Sequence, residues 1–70
     1  MNTKFITYKK KIEVILNNRL GFNDEENNKH INDVKTWLCC EWQCDMIDMP
    51  VYILLIDEVN NIAQEIIEAF

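Results

Sequence analysis

Four side chains near the middle of the sequence carry groups that ligate metal ions or act as nucleophiles: His30, Cys39, Cys40 and Cys44. By count they match the four ligands of a zinc site, or a thiol with its histidine base. However, the Cys-Cys-x-x-x-Cys spacing is not the Cys-x₂-Cys pairing of structural zinc sites. On a helix, His30 also lies more than two turns from Cys39. We therefore expect a surface histidine and small buried thiols, and we keep a zinc or redox module as a second alternative.

Acidic side chains recur at helical spacing near the end of the chain. One side of the predicted helix carries four of these polar residues, which we call the acidic ridge: Asp57, Asn61, Glu65 and Glu68. Glu58 lies next to the ridge. The ridge contains no calcium-loop pattern, so we expect a solvated helix face and no bound metal. Because the chain also has no serine, serine nucleophiles are excluded. We expect neither a cofactor nor enzyme activity.

The two tryptophans are candidates for binding a partner. Trp37 and Trp42 lie about 140° apart around a helix, so one small core is not expected to bury both completely. Tryptophan is frequent at binding hot spots, and a half-buried one beside acids would anchor a partner. The predicted partner-binding residues are Asp57, Glu58, Asn61, Glu65, Glu68, Trp37 and Trp42.

Helices are expected to position these side chains. The spacing of apolar residues predicts three helices, over about 3–20, 24–44 and 49–69. Gly21 is expected to end the first helix in a left-handed conformation. Asn23 and Glu26 resemble a capping box for the second helix. Because Asn27 and Asn28 are poor helix formers, that helix is expected to become regular only after them. Its apolar residues appear on two sides, which predicts that it is the middle layer.

The segment 50–70 has the most regular pattern, with an apolar stripe opposite the acidic ridge, and the rest of the fold is expected to form around it. Its first two turns add Ile53, Leu54 and Ile56 outside the stripe. These three residues are therefore predicted to form a seam between identical subunits. The alternative is a short buried strand over 51–56, which would give an α+β fold.

Composition limits the class of protein. Seventy residues with 49% hydrophobic side chains, one glycine and one proline predict a single, compact all-α bundle of three helices. Three cysteines do not pair completely within a monomer, so no secreted disulfide framework is expected. The first residues lack a signal-peptide pattern, and no apolar run is long enough to span a bilayer. We therefore expect a soluble, cytoplasmic protein.

Charge is divided unevenly along the chain. Residues 1–20 have a net charge of +4, whereas residues 21–70 have a net charge of −9. The negative charge of residues 21–70 is expected to repel nucleic acid and to favour a basic partner. The hypothesis is a small inhibitor or regulator, of the anti-defence type found in phages or mobile elements, on a basic nucleic-acid-handling surface of a larger protein. The first alternative is a helical homo-oligomer, for example a homodimer.

Overall fold

The computed structural model describes residues 3–70, which form three helices and no strand. They are α1 (Thr3–Arg19), α2 (Asp24–Gln43) and α3 (Met49–Glu68). The predicted all-α bundle is confirmed, and each helix ends one residue before its predicted end. Consecutive helices run antiparallel, because Lys4 at the start of α1 donates to the Met46 carbonyl after α2, and Phe22 before α2 contacts Phe70 after α3. The bundle measures 34 × 22 × 16 Å. None of these helices combines the length and apolarity needed to cross a bilayer.

The strand alternative for 51–56 is wrong, because the chain is already helical at Met49. The Asp48 side chain caps α3 by accepting a hydrogen bond from the Val51 backbone N–H, at 3.1 Å. Pro50 occupies the first turn, where its missing N–H costs no intrahelical bond. Cap and proline together start a helix that the β-branched run then continues.

Helix α3 is the central element, as the regularity of its stripe predicted. It packs extensively on both α1 and α2, which contact each other less. The prediction that α2 is the middle layer is therefore wrong: α3 has the wider apolar surface and occupies that place. The core residues are Tyr8, Ile12, Leu16, Leu20, Val34, Leu38, Ile47, Val51, Leu55, Val59, Ile62 and Ala63.

The turn between α1 and α2 differs from its prediction in two respects. Gly21 does not have a positive φ, so it is not a left-handed cap. Helix α2 is not interrupted near Asn27, whose buried side chain bonds the Gly21 backbone twice. Its Nδ2 donates to the Gly21 carbonyl at 2.8 Å, and its Oδ1 accepts from the Gly21 N–H at 2.9 Å. The predicted cap holds, since the Glu26 N–H donates to Asn23 Oδ1 at 3.1 Å.

The left-handed residue lies instead at the end of α2, where Asp45 has a φ of 59°. The Met46 N–H donates to the Glu41 carbonyl at 2.9 Å, and the Asp45 N–H donates to the Trp42 carbonyl at 3.1 Å. This pair of bonds defines a Schellman motif, which turns the chain sharply into α3. A non-glycine residue here costs free energy because its Cβ crowds the backbone.

Candidate functional site

The acidic ridge is exposed along its whole length, as predicted. Within residues 3–70 no lysine or arginine nitrogen lies within 4 Å of the Asp57, Glu65 or Glu68 carboxylates. Glu68 accepts a hydrogen bond from Gln64 Nε2 at 3.0 Å, a contact that leaves its charge in place. The ridge is therefore a row of uncompensated negative charge on a rigid helix.

Glu58 differs from the ridge residues because it forms an ion pair with α1. It lies on the α1 side of α3, half-buried, with its Oε2 3.4 Å from Lys9 Nζ. One lysine of the basic segment, residues 1–20, thus pairs with an acid of α3. The structure therefore places Glu58 in the contact between α1 and α3, beside the ridge and not on it.

A groove of about 400 Å³ lies between α1 and the C-terminal half of α3 and meets the ridge at Glu65, and we call it the acidic groove. Glu13 and Glu65 supply carboxylates from the two helices, and Ile62 and Ile66 supply apolar walls. The full lining is Glu13, Asn17, Ile62, Glu65, Ile66, Ala69 and Phe70. Such a groove is suited to a lysine or arginine side chain, because its stem is apolar and its tip is cationic.

Sequence reasoning missed Glu13 because it is the single acid in a basic segment. A signal for it was present: Glu13 follows Lys9 by four residues, so both face the same neighbouring helix. Once Lys9 is known to pair with Glu58 on α3, the place of Glu13 against α3 follows from helical geometry.

The tryptophans are half-buried, as predicted, but on different sides of the bundle. Trp37 stacks on Tyr8 of α1 with ring centroids 5.5 Å apart. Trp42 stacks on Tyr52 of α3 at 5.1 Å. Tyr52 faces α2, whereas Glu58 faces α1, so Trp42 and the acidic ridge lie on opposite flanks of α3. Trp42 and the acidic ridge therefore do not form one surface, and partner binding by either tryptophan stays a prediction.

Tyr8 connects α1 with α2 through its hydroxyl, which donates to Glu41 Oε1 at 3.0 Å. Burial raises the pKa of Tyr8 above its ordinary value of 10, and the hydrogen bond and charge of Glu41 raise the pKa further. The neutral phenol is thus the form that the folded chain favours. Glu41 was not predicted as a functional residue, and the structure uses it to orient Tyr8 beneath Trp37.

A second groove, of about 350 Å³, lies between α1 and α2, and we call it the basic groove. It is lined by Lys10, Lys11, Val14, Ile15 and Trp37. Val14 is 61% exposed, and the Lys11 ammonium lies 5.2 Å from the Tyr8 ring centroid. In the sequence, three consecutive lysines point in three directions around a helix and do not indicate a concentrated patch. The structure shows that two of them, Lys10 and Lys11, border an apolar surface.

Two of the three residues predicted to form the subunit seam are exposed to solvent. Ile53 and Leu54 are 54% and 53% exposed, and Met49, one turn earlier, is 48% exposed. We call these three residues the apolar face. Ile56 does not belong to it, because it is half-buried and packs against the core. The apolar face leads directly into the acidic ridge at Asp57.

The thiols differ from their prediction. Cys40 and Cys44 are exposed, and only Cys39 is half-buried, so two of the three are not buried apolar residues. Partial burial and then the neighbouring Cys39 raise the pKa of Tyr52. His30 is half-buried, not a surface residue, and its Nδ1 has no hydrogen-bond partner among the described residues. In the same part of the chain, no three His, Cys, Asp or Glu side chains are grouped as metal ligands.

Comparison with protein families, curated proteins and solved structures found no match. The candidate sites are therefore the surfaces defined by the chain's own residues: the acidic ridge with its groove, the basic groove and the apolar face.

Proposed function

We propose that this chain is a protein-binding module, an inhibitor or regulator that occupies a basic, nucleic-acid-handling surface of a larger protein. The observation that supports the proposal is the uncompensated acidic ridge of α3. Its carboxylates are exposed and lack cationic partners among the described residues. A rigid helix that holds such charges attracts a complementary basic surface over several ångströms and excludes acidic ones.

The spacing of the ridge is compatible with competition against nucleic acid. Asp57 and Glu68 are eleven positions apart, which corresponds to about 16 Å along a helix. The three carboxylates divide that length into two intervals with a mean of about 8 Å, against about 3.4 Å between the charges of a single strand of duplex DNA. The ridge thus has less than half the linear charge density of one strand, and competition with nucleic acid depends on its fit to a Lys/Arg groove as well as on charge.

The acidic groove would add specificity to this attraction. Exposed ion pairs each contribute little, about 0–1 kcal/mol, because water screens them. A cationic side chain that lies against Ile62 and Ile66 and reaches Glu13 and Glu65 also buries its stem. We therefore expect one lysine or arginine of the partner to dominate the contact.

Capture from a host lysate followed by competition tests the proposal. The immobilised chain should retain a basic protein at low salt, and the chain should then displace nucleic acid from that purified protein. The ridge variant D57K/E65K/E68K should lose both properties. The control E25K/E26K/D33K changes the net charge equally at exposed positions of α2 and should keep both.

Three results would contradict the proposal: no basic protein retained, retention indifferent to salt, or equal losses in the ridge variant and its control. Displacement matters more than capture, because an acidic surface retains many basic proteins without specificity. A partner that binds the chain and nucleic acid simultaneously would also rule out occupation of the nucleic-acid surface.

A further inference from the structure

Two surfaces have no role in the proposed function: the basic groove between α1 and α2, and the apolar face of α3. We infer that they bind each other between two copies of the chain, so that Ile53 and Leu54 of one copy enter the basic groove of the next. The contact also involves Asp57 of the acidic ridge, and it is tested without any other protein.

The two surfaces are complementary in shape and polarity. The basic groove is a hollow of about 350 Å³ with Val14 and Trp37 in its lining. The apolar face is the convex outer side of a helix, on which Ile53 and Leu54 each expose about half of their surface. Inserting these side chains beside Val14 and Trp37 removes apolar surface of both copies from water.

Their charges are also complementary. Lys10 and Lys11 border the groove, whereas Asp57 lies one turn after Ile53 at the edge of the apolar face. The carboxylate of one copy therefore meets the ammonium groups of the next when the apolar parts are in contact. Neither lysine has an ion-pair partner among residues 3–70, and the Lys11 ammonium lies over the Tyr8 ring, 5.2 Å from its centroid.

A single copy does not satisfy both surfaces. The groove lies between α1 and α2, while the face is the side of α3 that points away from both. Contact of unlike surfaces is heterologous, so a dimer keeps one free groove and one free face, and assembly continues beyond the dimer. A symmetric pair of α3 faces would leave the basic groove uncovered, and a symmetric pair of grooves would bring four lysines together.

Two variants with a mixing experiment test the inference. The groove variant K10E/V14E keeps its apolar face, and the face variant I53Q/L54Q keeps its groove. All four substituted positions are exposed, so both variants should retain the helical content and melting behaviour of the wild type. The control N18E/K29E has the same net charge change as the groove variant, at exposed positions outside the groove.

Sedimentation velocity at low salt should show the average mass of the wild type and of the control rising above 8.4 kDa as concentration increases. Each variant alone should remain monomeric, with at least a tenfold loss of association. An equal mixture of the two variants should form a dimer and nothing larger, because one matched groove and face remain. Added salt should weaken that dimer.

Three results would overturn the inference. A wild type that is monomeric up to millimolar concentration removes self-association altogether. A groove variant that still dimerises shows a symmetric α3 contact. A mixture that stays monomeric, although both variants are folded, shows that the two surfaces do not bind each other.

Discussion

At the scale of single residues, the Asn27 amide closes the turn between α1 and α2. An asparagine is a poor helix former on its own, and from the sequence it suggested an interruption. Its two hydrogen bonds to Gly21 outweigh that propensity, because the backbone groups they satisfy would otherwise lie beside the core without partners. A buried polar residue here fixes how α1 and α2 meet.

Asn27→Ala should lower the free energy of unfolding by about 1–3 kcal/mol, since it leaves the Gly21 N–H and carbonyl unpaired. Asn28→Ala is the matched control, because Asn28 is exposed in the same turn, and it should change the value by less than about 0.5 kcal/mol. Urea unfolding followed by circular dichroism measures both. Equal effects would show that the amide has no bridging role.

Gly21 and Asp45 each have the backbone conformation expected of the other residue. A Cβ added at Gly21 meets no atom within 4 Å, and its φ is not positive. Gly21→Ala should therefore stabilise the fold by about 0.4–1 kcal/mol by restricting the unfolded chain. Asp45→Gly should also stabilise it, by about 1 kcal/mol, through relief of the left-handed strain. Melting curves of the two single variants and the double variant test both, and a destabilised Gly21→Ala would contradict the observed turn.

The bond from Tyr8 to Glu41 makes stability depend on pH. Because folding raises the pKa of Tyr8, its contribution is fully present below pH 10 and is lost as pH rises through the folded-state pKa. Tyr8→Phe should be less stable at neutral pH and should lose less stability above pH 10 than the wild type. Urea titrations across that range measure the difference. Parallel curves would indicate that Tyr8 does not titrate differently in the two states.

At the scale of elements, the helices were largely predictable and their arrangement was not. The stripe of α3 and the side-chain caps at Asn23 and Asp48 are local patterns, which is why the helix bounds were accurate. Which helix is central depends on matching surfaces across the bundle. Likewise, the sides on which Trp37 and Trp42 lie depend on the tyrosines they meet, which are distant in sequence.

Adjacent leucines of α3 test its position in the bundle. Leu55 is completely buried, whereas Leu54 is 53% exposed. Leu55→Ala should cost about 2–5 kcal/mol of unfolding free energy, because it removes core contacts and leaves a cavity. Leu54→Ala should cost less than about 1 kcal/mol in the dilute monomer, mainly through helix packing at the surface. Similar costs at both positions would be incompatible with the rotation of α3 observed here.

At the scale of the whole molecule, charge and stability oppose each other. The ridge ends at the C-terminal turn of α3, where the helix dipole disfavours negative charge. The acids of the first turn of α2 lie at a positive helix end, where they are stabilising. The negative charge that would attract a basic partner therefore also destabilises the fold slightly.

Glu68→Lys should raise the free energy of unfolding by about 0.3–1 kcal/mol at low ionic strength, and Glu25→Lys should lower it by a similar amount. Both substitutions change the net charge of −5 by the same two units, so opposite signs isolate the effect of the helix ends. Thermal melts with and without added salt measure the effect, and salt should diminish it. Equal signs would mean that overall repulsion dominates.

The two tyrosine-stacked tryptophans provide the molecule with two separate optical reporters. In a Trp42→Phe chain, the remaining indole reports on the surface between α1 and α2. In a Trp37→Phe chain, it reports on the flank between α2 and α3. Contact between copies should shift the emission of the first chain and leave the second nearly unchanged. A ligand held by α3 on its outward side should alter neither, so the fluorescence of these two chains separates self-assembly from partner binding.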